Sequence, residues 1–121
     1  EASLEAYDDA HMRGEHAEGR VRIGLCRDGR MVAGLDACMT AFHILYVSTV
    51  FVAEDCRRQG LGARLMAEME RRAKKLGADT IRLDTFDWQG RDFYAALGYI
   101  QVGCYENEND HYAEYFFLKR I

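Results

Sequence analysis

The sequence predicts an α/β fold of mixed type: a central mixed, mostly antiparallel sheet flanked by helices. Three observations lead there. Apolar residues alternate with period two from residue 20 to 40, change to helical spacing over 61–76, and return to period two at residue 80. Asp28-Gly29 stands between two alternating runs, the dipeptide that a tight two-residue hairpin prefers. Two helical stretches each lie between strands, which implies crossovers and a sheet that is not purely antiparallel. A chain of 121 residues has room for one core, so residues 1–121 read as a single domain.

Each element follows from its pattern. Leu4, Tyr7 and His11 or Met12 recur at helical spacing, and Gly14 and Gly19 punctuate, which suggests a short amphipathic helix. Val21, Ile23 and Leu25 alternate with Arg22 and Gly24 as a half-buried strand, and residues 31–40 return from the turn. Residues 44–52 are β-branched or aromatic almost throughout, which predicts a central strand buried on both faces. A polar loop over 53–59 leads into Gly60-Leu61-Gly62 and a helix to about Leu76, with Leu61, Leu65, Met69, Ala73 and Leu76 on one stripe. Gly77 stands where a left-handed C-cap is expected. Ile81, Leu83 and Thr85 alternate in a strand over 80–86, residues 90–97 form a short helix ended by Gly98, and strands follow over 99–105 and 112–118.

Composition excludes whole classes. Hydrophobic residues make up 49% and charged residues 30%, which is globular rather than disordered or low-complexity. Nothing approaches the ~20 consecutive apolar residues of a membrane span, and no signal-peptide pattern opens the chain. A net charge of -4 argues against a nucleic-acid coat, so no nucleic acid and no membrane are expected as partners. Cys26, Cys38, Cys56 and Cys104 form no CxxC pair and no zinc spacing, so no metal is expected; they read as free thiols in a reducing cytoplasm.

The segment that carries chemistry is Val50 to Ala63. A strand ends, the chain turns through Arg57-Arg58-Gln59, and Gly60 and Gly62 open a helix. The first N–H groups of a helix lack intrahelical partners, and the macrodipole adds about half a positive charge there. Glycines let a phosphate approach the backbone, and the two arginines add full charge. The segment is neither a dinucleotide fingerprint nor a Walker A loop. On spacing alone, a glycine-assisted turn with two solvated arginines fits equally well.

Context adds a resemblance. Arg57-Arg58-Gln59-Gly60-Leu61-Gly62 resembles the acyl-CoA-binding motif Arg/Gln-x-x-Gly-x-Gly/Ala of the GNAT superfamily of N-acetyltransferases. Phe93-Tyr94-Ala95-Ala96-Leu97-Gly98-Tyr99 is similar to that family's Phe-Tyr-x-x-x-Gly-Phe/Tyr element. Leu83-Asp84-Thr85-Phe86 with Trp88-Gln89 resembles a bacterial branch that often closes on an aromatic strand and basic tail, as Tyr115 to Arg120 do here. The resemblance covers residues 20–121 and implies a three-layer GNAT-like fold.

It also implies an acetyltransferase that takes acetyl-CoA as cosubstrate. Backbone amides of Gln59, Gly60, Leu61, Gly62 and Ala63 would bind the pyrophosphate, beside Arg57 and Arg58. The strand end at Phe51 and Val52 would pair with the pantetheine arm, in a gap where this strand and the next splay apart. Tyr94 matches the family tyrosine that serves as general acid toward the departing thiolate; its plainer reading is a core aromatic beside Phe93. The base is open. Residues 44–52 hold no acid, which leaves Asp84 or a water chain, and Asp84 also reads as a solvated strand residue or as the holder of the following turn. His43 and His111 read as surface residues. The family's frequent asparagine is Asp87 here, and Arg91 either offsets that charge or reaches the cofactor itself.

Residues 57–75 carry about +5, and the remainder of the chain about -9, which suits an anionic cosubstrate and a cationic amine. The leading expectation is N-acetylation of a primary amine on a small molecule by direct attack. The alternatives are acetylation of a protein lysine or N-terminus, or a silent acyl-CoA-binding module. Family members usually begin with a further strand and helix, so the first strand reads as missing or truncated. The sheet edge thus exposed is one that a second copy, in a homodimer, would cover.

Overall fold

The computed structural model describes residues 4–7, 19–86 and 88–121, with Leu4–Tyr7, Trp88 and Gln89 described by backbone alone. Strands β1 (Leu4–Tyr7), β2 (Arg20–Arg27), β3 (Arg30–Met39) and β4 (Ile44–Val52) precede helix α1 (Leu61–Lys75). Strand β5 (Thr80–Thr85), helix α2 (Trp88–Ala96) and strands β6 (Ile100–Asn107) and β7 (Tyr112–Arg120) complete the chain. The sheet order is β1-β2-β3-β4-β5-β7-β6. Every neighbouring pair is antiparallel except β4 and β5, so the sheet is mixed and mostly antiparallel as expected.

The β2–β3 hairpin turns on Asp28 at φ 54° and Gly29 at φ 77°, the double positive φ that a type I′ turn requires. Leu4 and Tyr7, expected in a helix, lie instead in β1, paired along β2 from Arg27 to Gly24. A strand therefore does precede the hairpin. Four residues are too few for helical spacing to outweigh ladder hydrogen bonds offered by an open edge. The rest of the expected N-terminal helix falls on residues outside those described.

Following the register across the sheet gives one continuous apolar face. Leu25 faces Ala33 and Val52, Ile23 faces Leu35 and Val50, and Leu45 and Val47 lie beside Ile81 and Leu83. Leu83 in turn faces Phe117. Helix α1 covers this face with Leu61, Leu65, Met66, Met69 and Ala73, all buried. Leu76, expected on the same stripe, is exposed because α1 has already ended. Helix α2 packs on the same face: the Tyr94 ring lies 6.0 Å from Phe117. Glu70 of α1 ties the layer together, accepting from Tyr99 Oη at 2.8 Å and from Lys119 Nζ at 3.0 Å. Among the described residues both helices thus flank one face of the sheet.

β4 is the fourth of seven strands, hence central, but it is not buried on both faces. Leu45 and Val47 are buried, whereas Ser48, Thr49 and Phe51 are exposed. The reason is that no described helix lies over the second face, so β-branched and aromatic composition reports strand formation here rather than two-sided burial.

Candidate active site

The site is built on an interruption in β4. Asp36 of β3 faces Thr49 and the next residue, Ala37, faces Val47, so Ser48 is an extra residue. Its hydroxyl donates to the Asp36 carbonyl at 3.1 Å. A bulge bends the strand that carries it. β4 pairs with β5 from Ile44 to Val47 against Thr80 to Leu83 and no further, although β4 runs on to Val52 and β5 to Thr85. The two strands therefore diverge, and the β5-facing side of residues 48–52 has no strand partner among the described residues. This is the gap that the family resemblance implies.

At the end of β4, Ala53 N–H donates to the Val32 carbonyl at 2.7 Å, and a 3-10 turn spans Glu54–Cys56. Cys56 is buried under the loop. Asp55, the carboxylate nearest the helix start, is paired with Arg30 at 2.9 Å, whose hydrogen bond is the main cause of its lowered pKa. Arg57 Nε donates to the Val52 carbonyl at 3.3 Å. Arg58 and Gly60 both adopt positive φ, 63° and 76°. The two left-handed residues turn the chain so that α1 begins at Leu61, with no side chain capping it and no acid in its first turn. Arg64 N–H donates to the Gly60 carbonyl. The N–H groups of Leu61, Gly62 and Ala63 have no acceptor among the described residues, as the first turn of a helix requires.

The two glycines have different reasons to be glycine. A Cβ on Gly60 would meet nothing within 4 Å, so that position needs only the left-handed backbone. A Cβ on Gly62 would stand 3.0 Å from Phe93 Cζ. Gly62 therefore lets α2 approach the start of α1, a packing role that its reading as a phosphate approach did not contain.

Tyr94 is buried, at 9% exposure, among Phe93, Tyr99 and Phe117. Its pKa is pushed up to about 12, first by burial and second by the charge of Asp84. Asp84 follows Leu83, the last β5 residue paired with β4. It accepts from Tyr46 Oη at 2.9 Å, and Arg82 stacks 4.4 Å from the centre of the Tyr46 ring. Tyr46 is raised by burial and by this bond to Asp84. Asp84 is thus held in place rather than freely solvated. Glu114, two residues before Phe116, the register partner of Asp84, is raised by a hydrogen bond with Asp84. Sequence reasoning missed Tyr46 and Glu114; only the register of β4, β5 and β7 brings them together.

The remaining expected residues divide. Phe51 and Val52 sit on the unpaired end of β4. The Phe51 ring lies against Gly34, where a Cβ would collide with it, and with Thr49 it lines a groove of about 310 Å³ over β2 and β3. Gln59 accepts from Arg27 Nη1 at 2.9 Å, which ties the loop to β2. Leu61 turns its side chain into the core and leaves only its backbone to the loop. Arg91 stacks 5.0 Å from the Tyr115 ring centre. Asp87 lies outside the described residues.

Comparison with known proteins agrees with this geometry. The acetyltransferase (GNAT) family profile matches residues 1–99. An acetyltransferase of Agrobacterium fabrum is 32% identical over 100 residues, 83% of this chain and 72% of that protein. The crystal structure of an acetyltransferase from Bacillus cereus superposes with a TM-score of 0.78 at 29% identity, over 92% of this chain and 83% of that one. A GNAT family acetyltransferase from Elizabethkingia anophelis, solved with acetyl-CoA bound, shares the fold at TM-score 0.76 and 10% identity, over 99% and 98% of the two chains. With its divergent central strands and glycine-opened helix, the chain belongs to the GNAT acetyltransferase family.

Proposed function

We propose that the protein transfers the acetyl group of acetyl-CoA to a primary amine of a small molecule, by direct attack. The divergence of β4 from β5 carries the reading. It leaves the β5-facing side of Ser48 to Val52 without a strand partner, with the Val52 carbonyl held by Arg57 Nε, and the chain leads from there to the free amides of Leu61 to Ala63. An extended pantetheine arm would add to β4 as a strand does, and the pyrophosphate would rest on Gln59 to Ala63 beside Arg57 and Arg58. The loop fits an anion because one of its carboxylates, Asp55, is already paired with Arg30.

Once neutral, the amine nitrogen attacks the thioester carbonyl carbon, the C–N bond forms as the C–S bond breaks, and the sulfur leaves as a thiolate, which takes up through water the second proton that the acylated nitrogen sheds. Asp84 is the acceptor for the ammonium proton, directly or through water. Tyr94 stays protonated at neutral pH, since burial holds its pKa at about 12. A thiolate of ordinary pKa near 8.5 would take its proton only at a cost of ~5 kcal/mol. Tyr94 therefore acts first as a hydrogen-bond donor that stabilises the charge on sulfur.

Thermal shift with acetyl-CoA and CoA, followed by turnover on a panel of amines, tests the reading. Acetyl-CoA should stabilise the wild type, and Tyr94→Phe should lose 10-fold or more in kcat while keeping acetyl-CoA binding. No stabilisation by either thioester or thiol form, and no turnover with any amine, would refute it.

A further inference from the structure

The face of the sheet opposite the helices carries a second feature beside the gap. Phe86 directly follows β5 and is 63% exposed. Tyr112 is 40% and Tyr105 50% exposed. The three rings meet edge to face, with centroids 5.8 Å apart for Phe86 and Tyr112 and 6.1 Å for Tyr112 and Tyr105. Asn107 donates to Tyr105 Oη at 3.3 Å and steadies the outer ring. Contiguous exposed rings of this kind are uncommon on a soluble domain unless something lies against them.

Their placement relative to the carboxylates is set by strand geometry. Asp84 and Phe86 are two residues apart, and so are Glu114 and Tyr112, so each acid and its ring share a face. Glu114 stands opposite Tyr105. One two-residue step spans ~7 Å along a strand. Phe86 therefore stands about that far from Asp84 and Tyr112 from Glu114, while Tyr105 flanks Glu114 across the β6–β7 ladder, on the side of β5 away from the gap. The hydrogen bond with Asp84 raises the Glu114 carboxyl above the ordinary glutamate value.

We propose that Phe86, Tyr112 and Tyr105 form the wall that selects the acceptor, and that the acceptor is an arylalkylamine. Its ammonium is met by Asp84 and Glu114, and its ring, about two or three carbon atoms from nitrogen, lies on Phe86 and Tyr112. The rings offer edge-to-face contacts to an aromatic body and their faces to the cation. Glu114 is then a positioning residue that shares the ammonium with Asp84. This rests on the acetyl-transfer reading above, and the test separates the two.

The wild-type chain is assayed for CoA thiol release with acetyl-CoA and either 2-phenylethylamine or butylamine. The expected kcat/KM ratio favours 2-phenylethylamine by 10-fold or more. In Phe86→Ala and Tyr112→Ala that ratio collapses toward one, through KM rather than kcat. Equal use of both amines by the wild type, or an unchanged ratio in both variants, overturns the proposal. Calorimetric binding of the two amines in the presence of CoA reads the wall without turnover. Preferential binding of 2-phenylethylamine that Phe86→Ala abolishes supports the wall; binding without preference overturns it. If acetyl-CoA binds and no amine turns over, the acetyl-transfer reading fails, while the wall is still decided by the calorimetry.

Discussion

Gly62 and Phe93 offer a sharp test of how the two helices are held together. The Cβ of Gly62→Ala would lie 3.0 Å from Phe93 Cζ and 3.4 Å from Cε1. Carbon atoms sit comfortably at 3.5–4.0 Å, so the ring must retreat by about half an ångström. The ring has little freedom to do so, because it meets the buried Tyr94 ring edge to face, with centroids 5.1 Å apart. Overpacking of this kind costs about 1–3 kcal/mol, offset by up to ~1 kcal/mol from the better helix propensity of alanine. The net destabilisation expected is about 1 kcal/mol, too small to interpret alone. The informative quantity is the coupling with Phe93→Leu, which removes the obstructing ring edge. The double variant should be more stable than the sum of the single effects by about 1 kcal/mol. Urea unfolding at constant m reads this directly. Gly60→Ala serves as the contrast: it loses about 1–2 kcal/mol to left-handed strain and shows no coupling to Phe93. Additivity of Gly62→Ala and Phe93→Leu within about 0.5 kcal/mol would refute the packing role of Gly62.

Three further outcomes are expected. Glu70→Leu leaves Lys119 Nζ and Tyr99 Oη without their shared carboxylate, and should cost about 2 kcal/mol, measured by chemical denaturation. Gly34→Ala should displace the Phe51 ring and destabilise by about 1–3 kcal/mol, an effect that Phe51→Ala partly relieves; an unperturbed Gly34→Ala would count against the stacked ring. Tyr94 is raised to about 12 and Tyr99 further, both mainly by burial. A raised pKa contributes stability that is whole below the unfolded value near 10 and is lost as pH climbs to the folded value. The protein should lose ~2–3 kcal/mol on Tyr94 alone between pH 10 and 12. Tyrosinate absorbance should show these two groups ionising late, and Asp84→Asn should move the Tyr94 titration down without returning it to 10. Ionisation of every tyrosine near pH 10 with the fold intact would contradict their burial.

Much of the fold was legible because its signals are local. Asp28-Gly29 announces its own turn, the Leu61 to Ala73 stripe its own helix, and Gly77 its cap, with φ at 90°. The loop that opens α1 was legible for the same reason, since its glycines and arginines are adjacent in the chain. What could not be read is whatever depends on register. Leu4 and Tyr7 carry a spacing compatible with helix or strand, and the edge of β2 decides between them. Tyr46, Asp84 and Glu114 lie on three strands, and only the pairing of β4 with β5 and β5 with β7 makes them neighbours. The Ser48 bulge has no sequence signature, because the insertion exists only relative to β3. The second reason for Gly62 was hidden likewise: a missing Cβ is informative only once the ring that fills its place is known.

The arrangement also bears on how one carboxylate could serve both proton events of acetyl transfer. Asp84 belongs to the face bearing Tyr46 and Glu114, while Tyr94 packs with Phe117 on the helix-covered face. The two groups interact by charge rather than by contact, since Asp84 raises Tyr94 electrostatically and no hydrogen bond joins them among the described residues. While Asp84 is ionised, its field helps keep the phenol proton in place, which suits a donor waiting for a thiolate. In the proposed mechanism, once Asp84 has taken the ammonium proton that field would fall away, and Tyr94 would become a better donor just as charge reaches the sulfur. Burial, the larger cause, remains throughout, so the change is partial: it strengthens the hydrogen bond without making tyrosinate a stable product. A carboxylate in direct contact with the phenol would instead have competed with the sulfur for the same proton. In the proposed mechanism, separation by the thickness of the sheet, where β4 and β5 part, would couple the two proton events and keep them from cancelling.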